Sequence, residues 1–316
     1  MASNNASHRV IVAALVGNIL VLITKFAAAF WTGSAAMLSE AVHSLVDCAN
    51  ELLLLHGLRR AALPPDKTHP LGYGRELYFW SFIVALLIFA LGAGLSMLEG
   101  VRQLRVQTPI EHAIVNYIVL GLSFLFELGS WYVSLKEFAK VKGERSYWQA
   151  IRRSKDAPTF LVLFENTTDL AGLLIAFVGI AAAQILEVPA LDGAASILIG
   201  LMLGATAIVL ASEIKGLLIG ERADQQIADA ILKIAADMPG VCNANGIITV
   251  HLAPDQIVAV LSLEFDDDLT TPEIERRVAE LEDKVQANCR QVTTLFVKPQ
   301  SRGGWRERHE RRYGTR

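Results

Sequence analysis

Ser39-Glu-Ala-Val-His-Ser-Leu-Val-Asp-Cys-Ala-Asn-Glu-Leu-Leu-Leu-Leu55 lies inside an apolar segment running from about Ala35 to Leu58. A helix of roughly 20 apolar residues crosses a bilayer, and this segment is long enough. Yet His43 and Asp47 stand near its middle. A charge at that depth costs about 2.5–3.5 kcal/mol on insertion scales, so such residues tend to have a function. Four residues apart on a helix, the two side chains share a face, one turn above each other. Imidazole and carboxylate so arranged make half of a divalent-metal site.

The matching half stands in Phe164-Glu-Asn-Thr-Thr-Asp-Leu-Ala-Gly-Leu-Leu-Ile-Ala-Phe177, where Glu165 and Asp169 repeat the spacing in a second long apolar segment. Two such helices meeting would offer one nitrogen and three oxygen ligands, a number that suits tetrahedral Zn²⁺. Either pair alone reads equally as a polar clamp between helices. Two acid-containing pairs at one spacing favour a metal site.

Composition places both segments in a membrane protein. The 316 residues are 53% hydrophobic and only 19% charged, and the mean hydropathy is +0.39. The net charge of −3 averages over charges gathered in loops and in the last third. Cys48, Cys242 and Cys289 are too widely spread for a disulfide framework or a CxxC site. Met1–Ser7 is a short polar lead into a long apolar run, read as a retained first helix rather than a signal peptide. Nothing in the chain points to a nucleic-acid partner.

The expected fold is a polytopic α-helical membrane protein. Six spans are expected, near 10–30, 35–58, 77–101, 113–135, 159–185 and 190–211, making a transport domain over residues 1–216. The loop before the third span holds Arg59, Arg60, Lys67 and Arg75, and the loop before the fifth holds Lys136, Lys140, Lys142, Arg145, Arg152, Arg153 and Lys155. The loops at Trp31–Ser34 and Leu186–Pro189 have no basic residue; only Arg102 and Arg105 dissent. Positive loops stay inside, which puts both termini in the cytoplasm. The expected address is a bacterial inner membrane.

Residues 217–300 read as helix, two strands, helix and strand, a small cytoplasmic α+β domain of ferredoxin-like outline. Ile227, Ile231, Ile234 and Ala235 mark the core face of its first helix. Thr271-Pro272-Glu273 starts the second, with Thr271 read as the cap. A domain this small has a marginal core and gains from pairing with a copy of itself. Residues 301–316, rich in arginine, are expected to be a disordered basic tail. It is either simply solvated or in touch with anionic lipid.

Other polar residues support these two pairs. Glu40, Asn50 and Glu51 flank the His43–Asp47 face and read as support or as a water or proton path. Asn18 and Asp192 read as interhelical hydrogen-bond partners, Asp192 with a possible place on the proton path. Cys48 points about 100° away from Asp47 and reads as packing. Glu127 has no partner visible in the sequence. Asp66 and His69 offer a second ion site in the loop before the third span, against the simpler reading of a tight turn shaped with Gly72 and Gly74.

Together these residues resemble the cation diffusion facilitator family of divalent-metal transporters. The likeness rests on Gly33-Ser34-Ala-Ala-Met-Leu-Ser-Glu-Ala-Val-His43-Ser-Leu-Val-Asp47, His69-Pro-Leu-Gly-Tyr-Gly-Arg75-Glu, Glu165-Asn-Thr-Thr-Asp169 and Asp192-Gly-Ala-Ala-Ser. It covers the chain to about Gln300. It implies a homodimer that exports metal in exchange for protons, with His43, Asp47, Glu165 and Asp169 as the transport ligands. Zinc-carrying members most often have histidine where this chain has Glu165. The glutamate resembles the branch that includes the animal mitochondrial zinc exporter. Zn²⁺ is therefore the expected cargo, with Mn²⁺, Fe²⁺ or Co²⁺ as alternatives, and no prosthetic group is expected. Tyr73 stands where some relatives have another histidine, and the last strand, Thr293-Thr-Leu-Phe-Val-Lys298, lacks the ligand types of a regulatory metal site.

Metal binding needs neutral imidazole and ionised carboxylates, so one site alternates between metal-loaded and proton-loaded states. Two classes compete with a transporter. An intramembrane metalloenzyme would need a general base, often announced by HExxH, and no such run occurs. A metal-sensing receptor would want ligands in the soluble domain.

Overall fold

The computed structural model describes residues 2–32, 35–106, 113–142 and 146–314; the side chains of 2–6, 29, 32, 35–40, 42, 43, 113 and 141 lie outside that description. The chain divides into two compact units, Met1–Lys215 and Gly216–Arg316.

The first unit is helical. Its elements are α1 (Ala2–Thr32), α2 (Ala35–Ala61), α3 (Glu76–Leu87), a π-helical turn (Ile88–Ala93), α4 (Gly94–Val106), α5 (Ala113–Lys142), α6 (Tyr147–Arg153), α7 (Ala157–Ile185) and α8 (Ala190–Ile219). Among the described residues, five stretches are long and apolar enough to cross a membrane: Ser7–Ala28, Glu76–Val106, Ile114–Lys140, Ala157–Ile185 and Ala190–Ile219. The helix expected as a further span, α2, is 27 residues long, about 40 Å at 1.5 Å per residue. It carries Glu40, His43, Asp47 and Glu51 within its length.

Small residues and polar pairs set how these helices meet, as they must where lipid gives no hydrophobic drive for association. Helix α1 packs on α2 and α5, and α5 packs on α7. A side chain on Gly57 of α2 would run into Trp80 of α3. On Gly100 of α4 it would come within 2.8 Å of the Gly193 carbonyl on α8. The start of α7 is fixed by Asp156, whose carboxylate accepts the Thr159 hydroxyl at 2.7 Å and the Ser7 hydroxyl of α1 at 2.8 Å. Pro158 sits in the first turn, where its missing N–H costs nothing.

The second unit holds α9 (Gln225–Ala236), β1 (Val241–Ala253), β2 (Gln256–Phe265), α10 (Thr271–Asn288), β3 (Val292–Pro299) and α11 (Arg302–Tyr313). The sheet order is β1-β2-β3, with β1 antiparallel and β3 parallel to β2. Alternation along β2 sends Ile257, Ala259, Leu261 and Leu263 into a core with Ile231 and Ala235 of α9 and Leu281 and Val285 of α10.

Two expectations are corrected here. The cap of α10 is Thr270, not Thr271: the Thr270 N–H and hydroxyl both donate to the Glu273 carboxylate, at 2.8 and 2.7 Å. This is a capping box shifted by one residue, and it holds the Glu273 carboxyl below its usual range. The basic tail is not disordered over Arg302–Tyr313 but helical. Ser301 caps it by accepting the Gly304 N–H, and Arg311 pairs with Glu307 one turn away. Trp305 lies so close over Gly246 of β1 that a side chain there would meet its indole at 2.5 Å.

Candidate functional site

Asn50, Asp47, Glu165 and Asp169 all line one small cavity in the helical unit, closed by Val46, Ile88, Gly92 and Leu203. Its volume is about 10 Å³, on the order of one water molecule. On α7 both members of the i,i+4 pair reach the cavity, and on α2 Asp47 does. Asp47 and Asn50 reach it from α2, and Glu165 and Asp169 from α7. Glu165 is buried, and Asp47 and Asp169 are half-buried.

The two helices are tied by the Asn50 amide, which donates to Glu165 Oε1 at 3.1 Å. The other Glu165 oxygen and the Asn50 carbonyl are buried without a hydrogen-bond partner. An unpaired carboxylate oxygen out of water is costly unless a cation or proton meets it. The backbone of His43 and Glu40 lies in α2, and their side chains fall outside the described residues. Among the described residues, no three His, Cys, Asp or Glu side chains close into one metal-holding group.

The supporting residues are disposed as follows. Glu51 is fully buried and accepts the Asn18 amide of α1 at 2.9 Å. Asp192 lies half-buried in the first turn of α8, where its carbonyl accepts the Ser196 hydroxyl at 3.2 Å. Cys48 is buried. Asp66 and His69 stand apart in the exposed loop after α2. There Asp66 Oδ1 accepts the N–H groups of Thr68 and His69, and Oδ2 accepts the Tyr73 hydroxyl at 2.6 Å. Tyr73, and then the His69 N–H, hold the Asp66 carboxyl below its ordinary range. Both carboxylate oxygens are thus spent on the shape of a loop whose Gly72 takes φ +83°, a conformation glycine adopts freely.

Sequence reasoning gave no role to two residues, Glu127, which it named without a partner, and Lys25. Glu127 of α5 and Lys25 of α1 are both buried, and both lie within electrostatic reach of Asp169. A lone acid and a lone lysine, each without an i,i+4 partner of its own, give no spacing signal. Only their depth in apolar runs marks them.

Residues 11–219 match the cation efflux transmembrane domain family. The chain is similar to metal tolerance protein C4 of Arabidopsis thaliana, 35% identical over 72% of this chain and 50% of that protein. It is similar to the human proton-coupled zinc antiporter SLC30A9, mitochondrial, 30% identical over 83% of this chain and 47% of that protein. It is 25% identical to the cation-efflux pump FieF of Cronobacter sakazakii, over 83% of this chain and 82% of the pump. The chain thus spans about half the length of the first two relatives. The matched segment takes in α2, α7 and the cavity between them, and the chain belongs to the cation diffusion facilitator family.

Proposed function

We propose that this chain carries Zn²⁺ across a membrane in exchange for protons, through a site made by His43, Asp47, Glu165 and Asp169. One observation carries the reading. Carboxylates from two helices far apart in sequence line a single buried cavity and leave a Glu165 oxygen without a partner. Carboxylate and imidazole oxygens and nitrogens suit divalent ions, and the Irving–Williams order ranks zinc well above manganese for such a set. The zinc antiporter among the relatives supports zinc and proton coupling. Protons enter because each ligand must lose its proton to bind metal, so protonation from one side drives release.

The test is initial ⁶⁵Zn uptake into proteoliposomes with and without an imposed pH gradient. Uptake that depends on the gradient and is lost in Asp47→Ala is expected. Gradient-independent uptake removes the exchange, and near-normal uptake by Asp47→Ala removes the site.

Three further readings go with it. Six spans with both termini inside are supported by the basic loops after α2 and α5. A cysteine placed near Glu187 should label from outside in intact cells and one near Lys142 should not, and the reverse pattern would overturn this. The Gly216–Arg316 unit is read as a ferredoxin-like module that pairs two copies. Sedimentation of the detergent-solubilised chain at monomer mass would count against pairing.

A further inference from the structure

We propose that Glu127 of α5 is a further cation-binding side chain, a third helix's contribution to the charge that receives the transported ion. This rests on the cation-transport reading above and deepens it.

Two helices running antiparallel fix its level. Tyr117 of α5 bonds Gln184 of α7 at 2.7 Å, while Trp131 bonds Thr167 at 3.0 Å and Asn166 donates to Ser130 at 2.9 Å. One turn from Ser130 toward Tyr117 stands Glu127. One turn from Asn166 toward Gln184 stands Asp169. The two acids therefore stand at one height on neighbouring helices, and Asp169 already lines the cavity. Among the described residues, Glu127 lies within electrostatic reach of both Asp169 and Asp47.

Glu127 is 5% exposed, and its Oε2 atom is buried without a hydrogen-bond partner. The cavity that Asp169 lines has the same mark independently, in the unpartnered Glu165 oxygen and Asn50 carbonyl. The electrostatic balance points the same way. Asp47, Glu51, Glu127, Glu165 and Asp169 act on one another, and the cation acting among them is Lys25 of α1, 7% exposed. Among the described residues the acids there outnumber the ammonium, a balance that suits a cation. A bystander role is the rival: Glu127 would merely neutralise Lys25 where α1 packs on α5.

Zinc uptake in proteoliposomes separates the two, with thermal unfolding in detergent as a check on folding. Glu127→Gln is expected to raise the apparent KM for zinc about tenfold, with the maximal rate changed much less. Lys25→Met should leave KM unchanged or lower it. The double variant Glu127→Gln/Lys25→Met should keep a KM about tenfold above that of Lys25→Met. A wild-type KM in Glu127→Gln, or its full restoration in the double variant, overturns the proposal. Glu127→Asp, which keeps the charge one methylene further back, should give an intermediate KM. A wild-type KM from it overturns the proposal even where Glu127→Gln does not fold. A wild-type chain that moves no zinc at all is a different failure, that of the transport reading itself.

Discussion

The two units treat buried polar atoms in opposite ways. In the helical unit, Glu51, Glu127 and Glu165 each hold a carboxylate oxygen in the interior without a partner. In the sheet unit the unpartnered buried atoms are the neutral amide groups of Asn245 and Gln300, near where α11 leaves β3. The core beneath that sheet is aliphatic, Ile231, Leu261, Leu263 and Leu281 among it. A half-satisfied charge is worse than an apolar core for stability alone. The helical unit keeps such charges, one of them, Glu165, on the wall of a small cavity, which is what the proposed transport site needs, while the sheet unit keeps an aliphatic core.

The contrast breaks most visibly at Asp169. Asp169→Asn should cut zinc flux at least about 100-fold, on the scale of lost metal-ligand interactions. Its melting temperature should hold or rise, because a crowded buried charge has been removed. Flux near normal, or a fall in melting temperature like that of a core deletion, would show that Asp169 serves packing. The mirror experiment is Leu261→Ala, at a fully buried position. It should cost about 2–5 kcal/mol of stability while flux per folded molecule stays near wild type. Denaturant unfolding gives the first number and uptake normalised to folded protein the second.

A smaller effect sharpens the comparison within the cavity. Glu165→His exchanges an oxygen ligand for imidazole, which suits zinc better than manganese. The zinc-to-manganese flux ratio should rise several-fold, and the pH profile should move because a group titrating near 6.5 replaces a carboxyl. An unchanged ratio and profile would take Glu165 out of the ligand set. The smallest effect belongs to the loop after α2. Tyr73→Phe removes the chief bond that depresses the Asp66 carboxyl, whose pKa should move up toward its ordinary value in an NMR titration. The sign follows: a depressed carboxyl favours the folded state above its unfolded value of about 3.9, and that help fades as pH falls through the lower folded value. Zinc flux at pH 7 should not change. A loss of flux would make the loop an ion site after all.

Much of this was legible in the residues. Asp47 of α2 and the Glu165–Asp169 pair of α7 line one cavity, because an i,i+4 spacing keeps Glu165 and Asp169 on one helical face. The helical spacing of Ile227, Ile231, Ile234 and Ala235 likewise found the α9 side of the second unit's core. Three features were not legible, each for a physical reason. Glu127 and Lys25 have no periodic partner, so only packing of α5 and α1 reveals them. The α11 helix is too polar to signal itself, and it packs on β1 and β2, with Trp305 close over Gly246, through residues far apart in sequence. The α10 cap misled by one place because Thr270 and Thr271 are both good caps, and only the reach of Glu273 distinguishes them.

The π-helical turn at Ile88–Ala93 has a mechanical meaning. Such a turn holds one residue more than an α-helix would, and one residue is worth about 100° of rotation. Two of its residues, Ile88 and Gly92, wall the cavity, and the stretch beyond it carries Gly100 into backbone contact with Gly193 of α8. The spare residue works as a gear tooth: it sets the phase of α4 against the cavity wall, so neither can turn without the other. Deleting one residue there would straighten the helix and swing Gly100 away from α8, and zinc flux measured on such a chain should be lost even with every carboxylate in place. A transporter that keeps its rate after that deletion has no gear there. One that stops has its cavity and its α4–α8 seam cut on a single shaft.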